Sequence, residues 1–300
     1  MRIGIIGAGA LGTLFGYRLA RDNDVTLLDV QSDVVAGIRE HGLGLADGAG
    51  RRRVAVTTTP RDMFESQVLF VFVRATDTMR ALRPFVNDLA PSCAIVSLQN
   101  GISNEDAIKA SLGGNVALVI GATTESARTT GFGTAEPVAA GTTILGPGGA
   151  SPEVCARIAR MLADAGMAAS VAYDIRPHLW GKLIANAAIN PVAALLDRPN
   201  GVILSDPNAG EVARSLAQEA AAVASAMRIA LPFNDPWSYV RSIVEQTSGF
   251  RNSMLADLTN GAPTENDHIN GAVVAAGRRA ALPTPYNETM FRLIRARAAL

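Results

Sequence analysis

The segment Gly7-Ala8-Gly9-Ala10-Leu11-Gly12 follows a short apolar run over residues 2–6 and precedes Leu11, Leu14, Phe15 and Leu19 at helical spacing. A GxGxxG pattern alone is weak. Between a strand and a helix it restricts the fold sharply, because each glycine then has a job. Gly7 permits the tight turn, Gly9 lets backbone amides approach a pyrophosphate, and Gly12 lets helix and strand pack closely. The helix that follows turns its free amides and positive dipole end toward the phosphates. The chain should therefore open with a Rossmann-type α/β domain, with Gly7, Ala8, Gly9, Ala10, Leu11 and Gly12 as cofactor-binding residues. Asp29 ends the second strand, after Val25-Thr26-Leu27-Leu28. A carboxylate there can accept hydrogen bonds from ribose hydroxyls and would repel a 2′-phosphate, which favours NAD over NADP.

The pattern continues as a doubly wound sheet. Residues 68–73 are uninterruptedly apolar, as a strand buried on both faces requires. Residues 94–98 and 116–121 repeat the pattern at helix-sized gaps. Residues 130–149 are rich in Gly and Thr and read as late strands at the sheet edge. A helix from about Pro152 to Ala165 leads to one more strand near residues 169–173. After Arg176 the strand signal ends and an alanine-rich helical pattern runs on, including a tightly packed helix over 217–226. The expected domains are a dinucleotide-binding domain over 1–172 and a helical substrate domain over 173–300.

Charge and cysteine usage narrow the function classes. The 27 basic and 27 acidic residues balance, and no basic block points to nucleic acid. Arg51-Arg52-Arg53 reads as a solvated flank of a strand. Cys93 and Cys155 are too few for a disulfide framework and read as reduced thiols. His41, His178 and His268 are scattered, so no metal site is expected. No leader pattern or membrane-length apolar run is visible, and a cytoplasmic protein with no membrane partner is the expectation. Nothing in the pattern fixes an oligomeric state; a homodimer through the helical domain is carried as an expectation.

Within the helical half, Lys182 stands out. It and Lys109 are the only lysines among 27 basic residues. An ammonium can be tuned to release a proton at working pH, whereas a guanidinium cannot. Asn186 and Asn190 follow at four and eight positions, which places one ammonium and two carboxamides along one helical stripe. That constellation suits an oxygen-rich small molecule.

Taken together these residues resemble the ketopantoate reductase (2-dehydropantoate 2-reductase) family over essentially the whole chain. The resemblance rests on the glycine motif, Gln99-Asn100-Gly101, the Lys182/Asn186/Asn190 helix and Pro199-Asn200-Gly201. It rests also on Ser253-Met254-Leu255-Ala256-Asp257, Thr264-Glu265, Ile269-Asn270-Gly271 and Pro283-Thr284-Pro285. It implies a Rossmann domain joined to an all-helical, 6-phosphogluconate dehydrogenase-like C-terminal domain, with a cleft between them. It implies NAD(P)H-dependent reduction of a small 2-keto acid, ketopantoate, to pantoate. It also implies Lys182 as the general acid, Glu265 as its acidic partner and Ser253 as the ligand of the substrate carboxylate. Asn186, Asn190 and Asn200 would hold substrate oxygens, and Asn100 would lie where cofactor ribose and substrate meet.

Two positions depart from the family pattern. A basic residue is common in the family at the end of the second strand, in keeping with NADPH; here Leu28-Asp29-Val30-Gln31 carries none. A family lysine after the third main strand is replaced by Arg74, which can still meet a cofactor phosphate. The departures leave open a dehydrogenase for another 2-keto or 3-hydroxy acid. A nucleotide-sensing protein without catalysis is the alternative of a different class, and the retention of Lys182 and Glu265 speaks against it.

Overall fold

The computed structural model describes the backbone of residues 1–300 and every side chain except that of Ala139. The chain divides into two compact units. The first comprises Met1–Gln99 and Asn104–Ile175; the second comprises Asn100–Ser103 and Arg176–Leu300.

In the first unit, strand β1 (Arg2–Ile6) leads through the glycine loop to helix α1 (Ala10–Leu19), and then to β2 (Asp24–Leu28) and α2 (Ser32–His41). Next come the short strands β3 (Leu43–Leu45), β4 (Arg51–Arg52) and β5 (Ala55–Thr57). The strands β6 (Val68–Val71) and β7 (Ala94–Ser97) flank α3 (Thr78–Leu82), and α4 (Asn104–Leu112) precedes β8 (Ala117–Thr123). The unit closes with β9 (Ser126–Gly131), β10 (Thr134–Ala139), β11 (Thr142–Pro147), α5 (Pro152–Asp164) and β12 (Ala168–Val171).

The main sheet has eight strands in the order β12-β11-β8-β7-β6-β1-β2-β5. Six neighbouring pairs are parallel, and β11 runs antiparallel to β8. Its central strands β6 and β7 are buried at every residue, which explains their unbroken apolar sequence.

The Gly/Thr-rich stretch corrects the expectation of edge strands. Only β11 joins the main sheet; β9 and β10 pair with each other and with β3 and β4 in a separate four-stranded sheet, ordered β4-β3-β10-β9. The reason is polarity. β9 is exposed along most of its length, so it cannot fill a place covered on both faces. Arg18 of α1 donates to Glu125 at 3.0 Å just before β9.

Arg51-Arg52-Arg53 is likewise more than a flank, since its first two residues form β4. Arg51 donates to the Gly42 carbonyl and Thr134 Oγ1, each at 3.0 Å. Arg52 donates to the Tyr17 carbonyl at 3.0 Å and lies 4.4 Å from the centre of its ring. Arg53 donates to the carbonyls of Arg39 and Glu40 in the last turn of α2, each at 2.8 Å, where a cation complements the helix dipole.

The described residues of 176–300 form helices and no strands. These are α6 (Arg176–Leu195), α7 (Val202–Ser205), α8 (Pro207–Ala226), α9 (Pro236–Gln246), α10 (Ser253–Thr259), α11 (Asn270–Arg279) and α12 (Pro285–Ala298). Asp206, Asp235 and Asn252 cap α8, α9 and α10 by accepting from amides of their first turns. α6 and α8 meet through alanines: Ala187, Ala188, Ala213, Ala217 and Ala220 are all fully buried. Small side chains let the two backbones approach, which accounts for the alanine-rich sequence. No described helix is long and apolar enough to cross a membrane.

Candidate active site

In the first unit the glycine loop is held by its own backbone and by one carboxylate. Gly7 has φ +99°, a region that favours glycine, and a Cβ at Gly12 would fall on the Gly7 carbonyl. The Gly7 amide donates to the Leu28 carbonyl at 2.8 Å. Asp29 Oδ2 accepts from the Ala8 amide at 2.8 Å, and Oδ1 accepts from the Gln31 amide at 3.0 Å. Asp29 thus ties the loop to the end of β2, while each carboxylate oxygen keeps lone-pair capacity for a further donor.

Gly9 is the N-cap of α1 and, having no side chain, leaves the first-turn amides uncapped. A Cβ at Gly9 would meet nothing within 4 Å, so the space above the loop is open. Ala10 and Leu11 begin the helix behind it. Open space, uncapped amides and a carboxylate with lone pairs to spare fit a dinucleotide. Arg74 follows β6 and caps the 3₁₀ turn over 75–77.

Gln99 has no role of its own in the sequence pattern. Its carboxamide donates to the Val73 carbonyl at 2.7 Å and to Thr78 Oγ1 at 2.8 Å, and it accepts from Ser97 Oγ at 2.9 Å. It therefore fixes the loop carrying Arg74 to the end of β7. Its place in Gln99-Asn100-Gly101 was the available signal.

In the second unit, Lys182, Asn186 and Asn190 lie on α6, and Asn190 is buried. Burial pushes the Lys182 ammonium down from 10.5 to about 8, and the negative charge of Glu265 opposes that shift. Glu265 immediately precedes a 3₁₀ turn over Asn266–His268 that leads into α11. Its Oε2 accepts from Asn100 Nδ2 at 2.8 Å. One turn on, Ser103 Oγ and His268 Nδ1 lie 3.1 Å apart. Gly101, between them, has φ +93°, and a Cβ there would lie 2.7 Å from the His268 carbonyl oxygen. These contacts seat residues 100–103 in the helical unit, and Ile102 packs on its core. The structure thereby brings Asn100, Glu265 and Lys182 into one electrostatic group.

Asn200 is anchored inside the helical unit. It is buried; its Nδ2 donates to Thr247 Oγ1 at 3.2 Å and its Oδ1 accepts from Asn252 Nδ2 at 2.9 Å. Both ends of its carboxamide are engaged within the protein. Asn252, which the sequence reading passed over, is the hub: it caps α10 through Leu255, binds Asn200 and reaches the Asn190 carbonyl at 3.5 Å. An asparagine directly before an apolar helical run is an N-cap signal and could have marked it. Ser253 is the exposed first residue of α10.

Arranged this way, the helical unit holds an ammonium lowered to about 8 beside a carboxylate, and the sheet unit holds a glycine loop with uncapped helix amides. Residues 3–150 match the family described as ketopantoate reductase PanE/ApbA, and residues 174–298 match its C-terminal counterpart. A 2-dehydropantoate 2-reductase of Archaeoglobus fulgidus is 34% identical, covering 98% of this chain and 97% of the relative. One of Pyrococcus abyssi is 33% identical over 100% and 99%. Among solved structures, a PanE/ApbA family ketopantoate reductase of Ralstonia eutropha JMP134 superposes with TM-score 0.91 at 28% identity, covering 100% of this chain and 99% of that one. A D-mandelate dehydrogenase in ternary complex with NADH and anilino(oxo)acetate gives TM-score 0.92 at 26% identity over the same shares. With matches in both units and full-length relatives above 30% identity, the chain belongs to the ketopantoate reductase family.

Proposed function

We propose that the protein is a nicotinamide-dependent reductase that converts ketopantoate to pantoate. The observation that carries this reading is the Lys182 ammonium, brought to about 8 by burial beside Glu265, in a chain whose full-length relatives are 2-dehydropantoate 2-reductases. When bound, a nicotinamide dinucleotide would supply a hydride for the carbonyl carbon. As negative charge builds on the carbonyl oxygen, Lys182 Nζ stabilises it and then delivers its proton there. A pKa near 8 leaves Lys182 largely protonated at neutral pH while making it a better acid than an ordinary lysine.

Glu265 keeps the ammonium charged against desolvation, and Asn100 Nδ2 orients that carboxylate. Asn186 and Asn190 donate to substrate oxygens along the α6 stripe, and the exposed Ser253 hydroxyl binds the substrate carboxylate. Asn200 acts through Asn252 as a positioning residue. The glycine loop would hold the pyrophosphate, and Arg74 would meet a cofactor phosphate. Residues 1–172 serve as the nucleotide domain and 173–300 as the substrate domain.

Asp29 favours NADH over NADPH. Its carboxylate would accept from the adenosine ribose hydroxyls, and the Arg51 and Arg53 guanidiniums are held by the Gly42, Arg39 and Glu40 carbonyls. That feature also supports a second reading, reduction of a bulkier 2-keto acid, since the D-mandelate dehydrogenase neighbour carries NADH. Oxidation of NADH and NADPH, followed by absorbance with ketopantoate and with phenylglyoxylate, tests both readings. Turnover of ketopantoate supports the first, and turnover of phenylglyoxylate alone replaces it with the second. Binding of NADH with no turnover of any 2-keto acid would leave a nucleotide-binding protein.

A further inference from the structure

The segments 100–103 and 265–268 of the helical unit are joined first residue to first and last to last. Asn100 Nδ2 donates to Glu265 Oε2 at 2.8 Å, and Ser103 Oγ lies 3.1 Å from His268 Nδ1. Between these contacts the backbones come together at Gly101. A Cβ there would fall 2.7 Å from the His268 carbonyl oxygen and 3.1 Å from the His268 Cβ, an approach that only glycine permits. The contact of Asn100 with Glu265 already has a place in the proposed chemistry. The contact of Ser103 with His268 has none.

The 265–268 side is the fixed one. The His268 amide donates to the Glu265 carbonyl at 2.9 Å, which closes the 3₁₀ turn and ties the imidazole to the residue that bears the carboxylate. Asn266, buried within the turn, donates through Nδ2 to the Phe291 carbonyl of α12 at 2.8 Å. Residues 100–103, by contrast, belong to no helix or strand. An irregular segment keeps one conformation only where contacts offset the entropy of ordering it. Ile102 supplies an apolar contact with the helical core, and Ser103 supplies a polar one. The Ser103 hydroxyl can donate to an unprotonated Nδ1 or accept from a protonated one. The hold therefore survives in either form of the imidazole.

We propose that Ser103 and His268 are positioning residues: their contact holds the 100–103 segment so that the Asn100 carboxamide stays on Glu265. The inference rests on the reading of Asn100, Glu265 and Lys182 as the reducing site. A contact that only supported the fold would cost the same with or without Asn100. A contact that acts through Asn100 has nothing left to act on once that carboxamide is gone.

The experiment uses the full chain and the variants Asn100→Ala, Ser103→Ala, Asn100→Ala/Ser103→Ala, His268→Leu and His268→Asn. Each is assayed for kcat/KM with the better 2-keto acid, and its helical unit is melted by tryptophan fluorescence. Ser103→Ala and His268→Leu should each lower kcat/KM about tenfold, the scale of one hydrogen bond, while melting within about 5 °C of the parent. Asn100→Ala should lose at least as much, and the double variant should match Asn100→Ala alone. His268→Asn puts a polar atom near the place of Nδ1 and should recover most of what His268→Leu loses.

Parental kcat/KM in Ser103→Ala and His268→Leu, beside a lowered value in Asn100→Ala, overturns the inference and leaves the reducing site standing. Losses from Asn100→Ala and Ser103→Ala that multiply in the double variant overturn it as well, because the contact would then only support the fold. If Ser103→Ala does not fold, the His268 pair decides: recovery by asparagine upholds the inference, and equal losses in the two variants overturn it. A parental kcat/KM in Asn100→Ala, or a parent that turns over no 2-keto acid, removes the site itself, and the inference falls with it.

Discussion

Lys182 is where burial and charge oppose each other most directly. Desolvation lowers its pKa to about 8 and Glu265 resists. In the protonated form it can serve a reduction, so kcat/KM for keto-acid reduction should be flat below pH 8 and fall about tenfold per unit above it. The stability effect has the opposite sense in pH. Below pH 8 folded and unfolded chains both hold the proton, and the cost of burying the charge is fully felt. Between about 8 and the ordinary value of 10.5 the folded chain has lost the proton that the unfolded chain retains, so this group adds stability as pH rises. Lys182→Ala should cut turnover by about 10²–10⁴-fold with little change in cofactor Kd. Lys182→Arg should stay close to the alanine variant if the proton matters, because a guanidinium does not release one at these pH values. Recovery of most activity by the arginine variant would show that charge alone suffices.

At Asp29 a single substitution separates charge from loop support. Asn retains an acceptor for the Ala8 amide, which Asp29 Oδ2 now binds at 2.8 Å, and removes the negative charge. A carboxylate about 4 Å from a 2′-phosphate costs on the order of a few kcal/mol at intermediate screening. Asp29→Asn should therefore improve NADPH use by at least about tenfold and weaken NADH use only modestly. Steady-state KM values for the two cofactors decide it, and a parental enzyme that strongly prefers NADPH would sink the assignment.

Among the elements, α10 depends most on one side chain. Asn252 caps the helix and also joins Asn200 and the Asn190 carbonyl, whereas the Asp235 carboxylate caps α9 by accepting from the Ser238 amide. Asn252→Ala should cost about 2 kcal/mol, a cap plus a buried hydrogen bond, against about 1 kcal/mol for Asp235→Ala. Equal losses in urea titrations would mean that the Asn252–Asn200 contact contributes nothing. The strands of the main sheet were legible because full burial writes itself as an apolar run, as in Val68–Val71 and Ala94–Ser97. The second sheet is not legible over residues 130–149 because strand pairing is not local: a polar pattern marks strands such as β10 but does not name their partners. Asn270 stands in the sequence only as part of Ile269-Asn270-Gly271, yet its side chain donates to the Ala187 carbonyl at 3.0 Å. Its partner, the Ala187 carbonyl, belongs to the backbone and leaves no trace in the sequence beyond Pro191 four residues on.

For the molecule as a whole, the chain passes from one compact unit to the other at 99–100, 103–104 and 175–176. The four residues 100–103 could not be assigned to the helical unit from sequence, since they stand between a sheet strand and α4. What places them there is contact with Glu265 and His268, more than 160 positions away. Two units with separate cores need not unfold in one step, and both tryptophans, Trp180 and Trp237, lie in the helical unit. Tryptophan fluorescence therefore reports the melting of that unit alone, while calorimetry sees both. The proposed dinucleotide ligands Gly7–Gly12 and Asp29 all lie in the sheet unit. Cofactor at a hundredfold its Kd should stabilise that unit by about 2.7 kcal/mol, which raises its melting temperature by about 5–10 °C. The expected outcome is a calorimetric transition that moves with NAD+ and a tryptophan transition that moves much less. A tryptophan midpoint that rises in step with the shifted calorimetric transition would show the two units unfolding as one cooperative body.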